Sequence, residues 1–210
     1  MALITEEYAI DSAFVKKPWK RLTYSEICVL SGKQSKSYIY RSLNRLTREK
    51  IVEREYVGRS ILYVPTLQLF ATQRYFGFLE EHRAWVSTHI PVRIISRLSS
   101  LLSRITPFFI LLVTGSYAKK TQTKHSDLDV VILCDDLFDL EKIRAELEYE
   151  GESAVPPVHL SIFRKSEFLS MLVTSEENYG KEFARSHLIF CGGTAYYSIL
   201  AEALNRGFKG

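Results

Sequence analysis

Residues Gly115 to Asp129, reading Gly-Ser-Tyr-Ala-Lys-Lys-Thr-Gln-Thr-Lys-His-Ser-Asp-Leu-Asp, are bracketed by two apolar runs, Phe108-Phe109-Ile110-Leu111-Leu112-Val113 and Val130-Val131-Ile132-Leu133. Short runs rich in β-branched and aromatic residues have the form of buried strands, so the segment must connect two strands of a core sheet. Gly115 lacks a Cβ and lets the backbone turn sharply while a phosphate approaches; Ser116 adds a hydroxyl, and the amides that open a following helix complete an anion pocket. Asp127 and Asp129 are two apart, which on a strand puts both carboxylates on one face and sends Leu128 into the core. Hard oxygen ligands of this kind suit magnesium or manganese, which take one or two protein carboxylates together with substrate phosphates. The layout predicts metal-assisted chemistry on a nucleoside triphosphate, in which an attacking hydroxyl is activated and the leaving pyrophosphate stabilised.

The combination of Gly115-Ser116, a short helix and turn, and Ser126-Asp127-x-Asp129 opening a strand resembles the nucleotidyltransferase superfamily of DNA polymerase beta, in its minimal prokaryotic form. The resemblance implies a nucleotidyltransferase-like mixed sheet flanked by helices. It places Gly115 and Ser116 on the nucleotide and Asp127 and Asp129 in the catalytic, metal-holding position. The chain departs from that pattern twice. Lys120 stands where minimal members usually carry glycine. The third carboxylate, usually on the following strand, is absent from Val158-His159-Leu160-Ser161-Ile162-Phe163, where His159 occupies its place. A neutral imidazole brings no negative charge and favours softer ions, so His159 reads either as a third ligand or as a pocket wall. Lys119, Lys120 and Lys124, like Glu146, Glu148, Glu150 and Glu152, read as surface charges.

The sequence has 210 residues, 46% of them hydrophobic, enough for a substantial core divided over two domains. The expected division is a first domain over 1–65, a helical bridging region over 66–106 and a second domain over 107–210. There is no apolar run of about 18 residues, and the acidic start from Met1 to Asp11 lacks the form of a signal peptide, so a cytoplasmic protein without membrane association is expected. Cys28, Cys134 and Cys191 are widely spaced and read as reduced, mostly buried thiols.

Charge is uneven. Residues 1–64 hold twelve Lys/Arg against seven Asp/Glu, whereas the remainder is nearly balanced. That basic third reads as a winged helix-turn-helix domain. Thr23-Tyr24-Ser25-Glu26 is a capping box that should open a helix through Leu30, with a turn over Ser31-Gly32-Lys33-Gln34. A second helix from about Ser35 buries Ile39, Leu43 and Leu46 and turns Lys36, Ser37, Arg41, Asn44, Arg45 and Arg48 outward. Ile51–Tyr56 and Ser60–Val64 then form a hairpin whose tip carries Arg59. The spacing resembles prokaryotic winged-helix regulators. It implies DNA as a partner, with the second helix in the major groove and Arg59 on phosphates; a protein-contact platform is the other use of such a unit.

Between the two units, Thr66 to Thr88 reads as one long aromatic-rich helix, its apolar surface wide enough for both domains or for a second copy of the chain in a homodimer. Further helices are expected from Pro91 to about Arg104, over Leu137–Glu150, Lys165–Val173 and Glu176–Ser186, and after Thr194 as cap. The fold class is therefore α/β (α+β), and two functions follow. One is an enzyme transferring a nucleotidyl group from a nucleoside triphosphate to a hydroxyl with divalent metal, coupled to a DNA-binding winged helix. The other is a DNA-binding regulator whose nucleotidyltransferase domain is inactive or senses a nucleotide.

Overall fold

A computed structural model of the chain describes residues 8–152 and 154–210. The N-terminal residues 1–7 and the side chains of Glu148, Glu150 and Glu152 lie outside the described residues. The chain opens with α1 (Tyr8–Lys16), β1 (Leu22–Thr23), α2 (Tyr24–Ser31), α3 (Lys36–Arg48), β2 (Val52–Val57) and β3 (Ser60–Pro65). The capping box forms as its residue types require: the Thr23 hydroxyl accepts from the Glu26 amide, and the Glu26 carboxylate accepts from the Thr23 amide at 2.8 Å. Gly32 ends α2 in the left-handed region. Helix α3 buries Ile39, Leu43 and Leu46, and β2 and β3 pair antiparallel down to Val57 opposite Ser60, leaving Gly58 and Arg59 as the two-residue tip. The short β1 pairs with β3, giving a three-stranded sheet in the order β1-β3-β2.

The bridging helix, α4 (Phe70–Trp85), starts later than the expected Thr66. The Thr66 hydroxyl is engaged with the Lys50 and Ile51 carbonyls and with Thr72, and the Leu69 amide returns to the Thr66 carbonyl, so this stretch is a turn locked onto the hairpin. Next come α5 (Val92–Ile105), β4 (Phe109–Val113), α6 (Gly115–Lys119), β5 (Leu128–Cys134), α7 (Leu140–Glu152), β6 (Val158–Arg164), α8 (Lys165–Val173), α9 (Tyr179–Arg185), β7 (Leu188–Cys191) and α10 (Gly193–Asn205). The second sheet is mixed, ordered β6-β5-β4-β7, with β5 parallel to β6 through the α7 crossover and the other pairs antiparallel.

Alternation divides this sheet's side chains between two apolar cores. Ile110, Leu112, Val131 and Leu133 join a cluster that also takes in α1, α3, α4, α8 and α10; Leu111, Val113, Val130 and Ile132 join a second cluster with α5 and α7. The last helix is capped by Gly192 and not by Thr194. A Cβ at Gly192 would stand 2.7 Å from the Phe109 carbonyl oxygen, and the Gly193 amide donates to the Glu81 carboxylate, so the cap is set by tertiary contact. Cys134 is buried, its thiol pushed up to about 11, whereas Cys28 and Cys191 are only half-buried; all three are free thiols. Among the described residues no helix is long and apolar enough to cross a membrane.

Helix α4 is tied to both neighbours by buried polar groups. Towards α1 and α3, Asp11 is 2% exposed and accepts from Arg45 at 2.5 Å and from the Tyr75 hydroxyl. Towards β7, Arg83 donates to Glu80 at 2.5 Å and to the His187 carbonyl at 2.9 Å. Burial pushes the Glu80 carboxyl up to about 7 despite the lowering by Arg83, and burial with the nearby Arg83 charge pulls the His187 imidazole down to about 4. The two act oppositely on stability. Glu80 keeps its proton in the fold but not in the unfolded chain between about 4.5 and 7, so its contribution is lost as pH rises. His187 stays neutral in the fold while the unfolded chain protonates between about 6.5 and 4, so its contribution is lost as pH falls. Replacing Glu80 with Gln is expected to leave stability rising with pH from 4 to 6.5, with a slope approaching about 1.4 kcal/mol per pH unit; His187→Gln should leave it falling from 4.5 to 7. Denaturant titrations across that range check this, and flat profiles for both variants would contradict it.

Candidate functional site

The β4–β5 connection folds as its residues demand. Thr114 ends β4, its amide donating to the Asp129 carbonyl at 2.9 Å, and the chain enters α6 through Gly115 at φ 61°. A Cβ at Gly115 would collide with the Asp129 carboxylate, so glycine is required both for the dihedral and for the space. The first amides of α6 lack intrahelical acceptors and point out of its N-terminus. After α6 the chain is held by the Thr121 amide on the Ser116 carbonyl and by the Thr123 amide on the Ser126 hydroxyl, which returns it to β5.

Lys120 closes α6 in the left-handed region, at φ 59° and ψ 34°. A side chain in that conformation costs about 1–2 kcal/mol, a cost that glycine would not carry. Lys119 is turned across the cleft, donating to Glu182 at 3.1 Å.

A cleft of about 360 Å³ opens beside this turn, lined by Thr114, Gly115, Asp129, His159, Ser161 and residues of α9. Asp129 is partly buried in its wall. Asp127 precedes β5, is exposed and does not line the cleft. Ser116 lies in α6 just outside that lining, and His159 and Ser161 share the face of Asp129, as the strand alternation predicts. His159 is in register with Asp129, with its Nδ1 at 3.3 Å from the Asp129 Oδ1, and its side chain is 69% exposed. The imidazole therefore stands beside Asp129 as a hydrogen-bonding partner of the carboxylate. Among the described residues no group of three or more His, Cys, Asp or Glu gathers into a cluster suited to a metal ion. Of the two predicted carboxylate ligands, Asp129 lines the cleft, and its oxygens are of the hard type that suits a divalent cation such as magnesium.

Sequence reasoning overlooked the far wall. Tyr179, Glu182, Phe183 and Ser186 of α9 and its C-terminal cap line the cleft. Their spacing of three, one and three residues is that of one helical face, which was the available signal. The Tyr179 hydroxyl is 3.4 Å from the Thr114 hydroxyl, joining α9 to the end of β4. The helix is anchored at its start by Asn178, which caps the Lys181 amide and donates to the Met171 carbonyl.

The second set of predicted site residues lies on α3 and the hairpin. Lys36, Ser37, Arg41 and Arg48 are exposed on α3, and Arg59 is exposed at the hairpin tip. Arg45 corrects the outward-facing assignment: its side chain turns inward to Asp11 and also meets Glu49 at 3.2 Å. A buried carboxylate needs a charged partner, and that requirement outweighs the helical spacing. Asn44 stays exposed, with its amide oxygen taken by Arg54.

Residues 95–185, from within α5 to the end of α9, match the model of the family described as Nucleotidyltransferase domain. No curated protein matches the chain. Among solved structures, a crystal structure of a toxin-antitoxin with AMP-PNP is similar at 18% identity and a TM-score of 0.39, covering 55% of this chain and 86% of the other. The mixed α/β architecture agrees with a nucleotidyltransferase fold.

The turn makes opposite demands at its two left-handed residues. Lys120→Gly is expected to raise stability by about 1 kcal/mol. Gly115→Ala should lower it by about 2 kcal/mol through strain and displacement of Asp129. Thermal and denaturant unfolding measure both, and stabilisation by Gly115→Ala would contradict the geometry.

Proposed function

We propose that the chain transfers a nucleotidyl group from a nucleoside triphosphate to a hydroxyl, and that its first 65 residues form a winged helix-turn-helix that binds DNA. In this division residues 66–106 bridge the winged helix to a transferase domain over 107–210. The observation that carries the reading is the cleft in which the Gly115 backbone and the Asp129 carboxylate meet with no room for a side chain between them, within the span that matches a nucleotidyltransferase domain.

In this reading Gly115, Ser116 and the first amides of α6 receive the triphosphate. Asp129 and Asp127 hold magnesium or manganese, which when bound would supply charge neutralisation at the phosphates and activation of the attacking hydroxyl. His159 orients the Asp129 carboxylate through its ring nitrogen, and Tyr179 and Phe183 shield the cleft from water. Lys119, held by Glu182, is within the same wall and adds positive charge beside the phosphate turn.

The regulator reading, in which the domain senses a nucleotide without turnover, is favoured by one observation: an imidazole stands against Asp129 where a third acid would serve catalysis. Labelled nucleoside triphosphates incubated with the protein, divalent metal and cell extract separate the two. Transfer of label by the wild-type chain, reduced at least about 100-fold in Asp127→Ala plus Asp129→Ala, is the expected result. Binding of nucleotide with no transfer by either protein would assign the domain to sensing.

On the winged helix, Lys36, Ser37, Arg41 and Arg48 would face the major groove and Arg59 the backbone, with Arg45 reserved for Asp11. Arg41→Ala plus Arg59→Ala is expected to weaken duplex DNA binding and, through the lost Arg59 phosphate contact, to reduce its log–log salt slope by about 0.9. An unchanged isotherm across salt concentrations would remove α3 from the interface.

A further inference from the structure

A basic trough runs from the candidate cleft across the body of the molecule. The cleft shares Ser186 with a neighbouring cavity lined also by Glu80, Arg83, Ala118 and His187, in which Glu80 is paired with Arg83. That cavity in turn shares Lys16 and Arg185 with a wide groove of about 740 Å³. The groove is lined by Lys16, Lys17, Lys20, Arg21, Arg185 and Lys209, with Trp19 in its wall and no acidic residue.

Several of these cations are held in place by neighbours. Lys20 pairs with Glu26, Arg21 with Glu55, and Arg185 with both oxygens of Glu177. Lys16 donates to the Leu30 carbonyl at 2.6 Å. The ammonium groups of Lys17 and Lys209 have no carboxylate partner among the described residues. Burial, with smaller effects of the Arg83 and Lys120 charges, holds the Lys16 ammonium below its usual pKa.

We propose that this trough binds a single strand of nucleic acid through its phosphates and leads that strand to the cleft. A row of fixed cations in a concave channel follows a phosphodiester backbone, and an aromatic wall offers a base a face to pack on. The channel form favours one strand, because a duplex is a convex rod that meets protrusions such as α3 and the hairpin tip. None of Lys36, Arg41, Arg48 and Arg59 lines the trough, so the surface is separate from the proposed duplex contacts.

The test is fluorescence anisotropy of the full chain with labelled mixed-sequence oligonucleotides, in single-stranded RNA, single-stranded DNA and duplex DNA arms, over a range of salt. The variant Lys17→Glu plus Lys209→Glu alters two exposed side chains, and its melting temperature is measured alongside. Single-strand affinity should fall at least about tenfold, with the salt slope reduced by about 1.4, while duplex affinity changes little. Preference for RNA or DNA identifies the source of the strand. Arg41→Ala plus Arg59→Ala should leave single-strand binding unchanged, and Asp127→Ala plus Asp129→Ala should retain it whether or not the chain transfers nucleotides. Unchanged single-strand affinity in the folded Lys17→Glu plus Lys209→Glu variant would overturn the proposal, as would equal affinity of the wild-type chain for poly-glutamate.

Discussion

The crossing of α4 with α10 is the contact around which the rest of the molecule is arranged. A Cβ on Gly77 would lie 2.5 Å from the Thr194 nitrogen, and one on Gly193 would meet the Gly77 backbone, so the two helices approach at main-chain distance. Close approach of that kind admits only glycine at both positions. It sets α4 against β7 and α10, where the Trp85 indole donates to the Phe190 carbonyl and Glu81 receives the Gly193 amide. The same helix presents Tyr75 to Asp11 on its other side.

This hub joins the basic N-terminal unit to the mixed sheet through one continuous apolar cluster. Two buried ionic groups flank it, Asp11 with Arg45 and Tyr75 and Glu80 with Arg83. Removing one member of such a pair leaves an uncompensated charge and costs several kcal/mol, so these groups specify a single relative arrangement of the helices more than they add net stability. The consequence for the cleft is positional. Helix α9 lies against α8, which itself packs on α10, and its Tyr179, Glu182 and Phe183 line the cleft together with Asp129.

Much of the architecture can be read from residue patterns. The alternation in Phe109–Val113 and Leu128–Cys134 identifies paired core strands, and the strict separation of their odd and even residues into two clusters follows from a period of two. The Thr23–Glu26 box, the α3 stripe and the two-residue hairpin tip depend on neighbours within a few positions, so local chemistry is sufficient to locate them. The beginning of α4 and the cap of α10 were misplaced because each depends on groups far away in sequence: Thr66 on the Lys50 and Ile51 carbonyls, and Gly192 on Phe109. Arg45 was misassigned for the same reason, since its partner Asp11 lies 34 residues earlier.

The sequence alone identifies the Gly115-Ser116 turn, the Asp127 and Asp129 pair and the missing acid at His159, because all three are written in residue types at short spacing. The tertiary structure brings Asp129 and His159 into hydrogen-bonding distance in the cleft and leaves Asp127 exposed at the head of the strand. It also supplies the α9 wall and lines up cations from α1, α9 and the C-terminal residues along one trough. Contacts between segments more than a hundred residues apart leave no periodic trace in the chain, and packing of α4 against α10 and β7 is what brings them together.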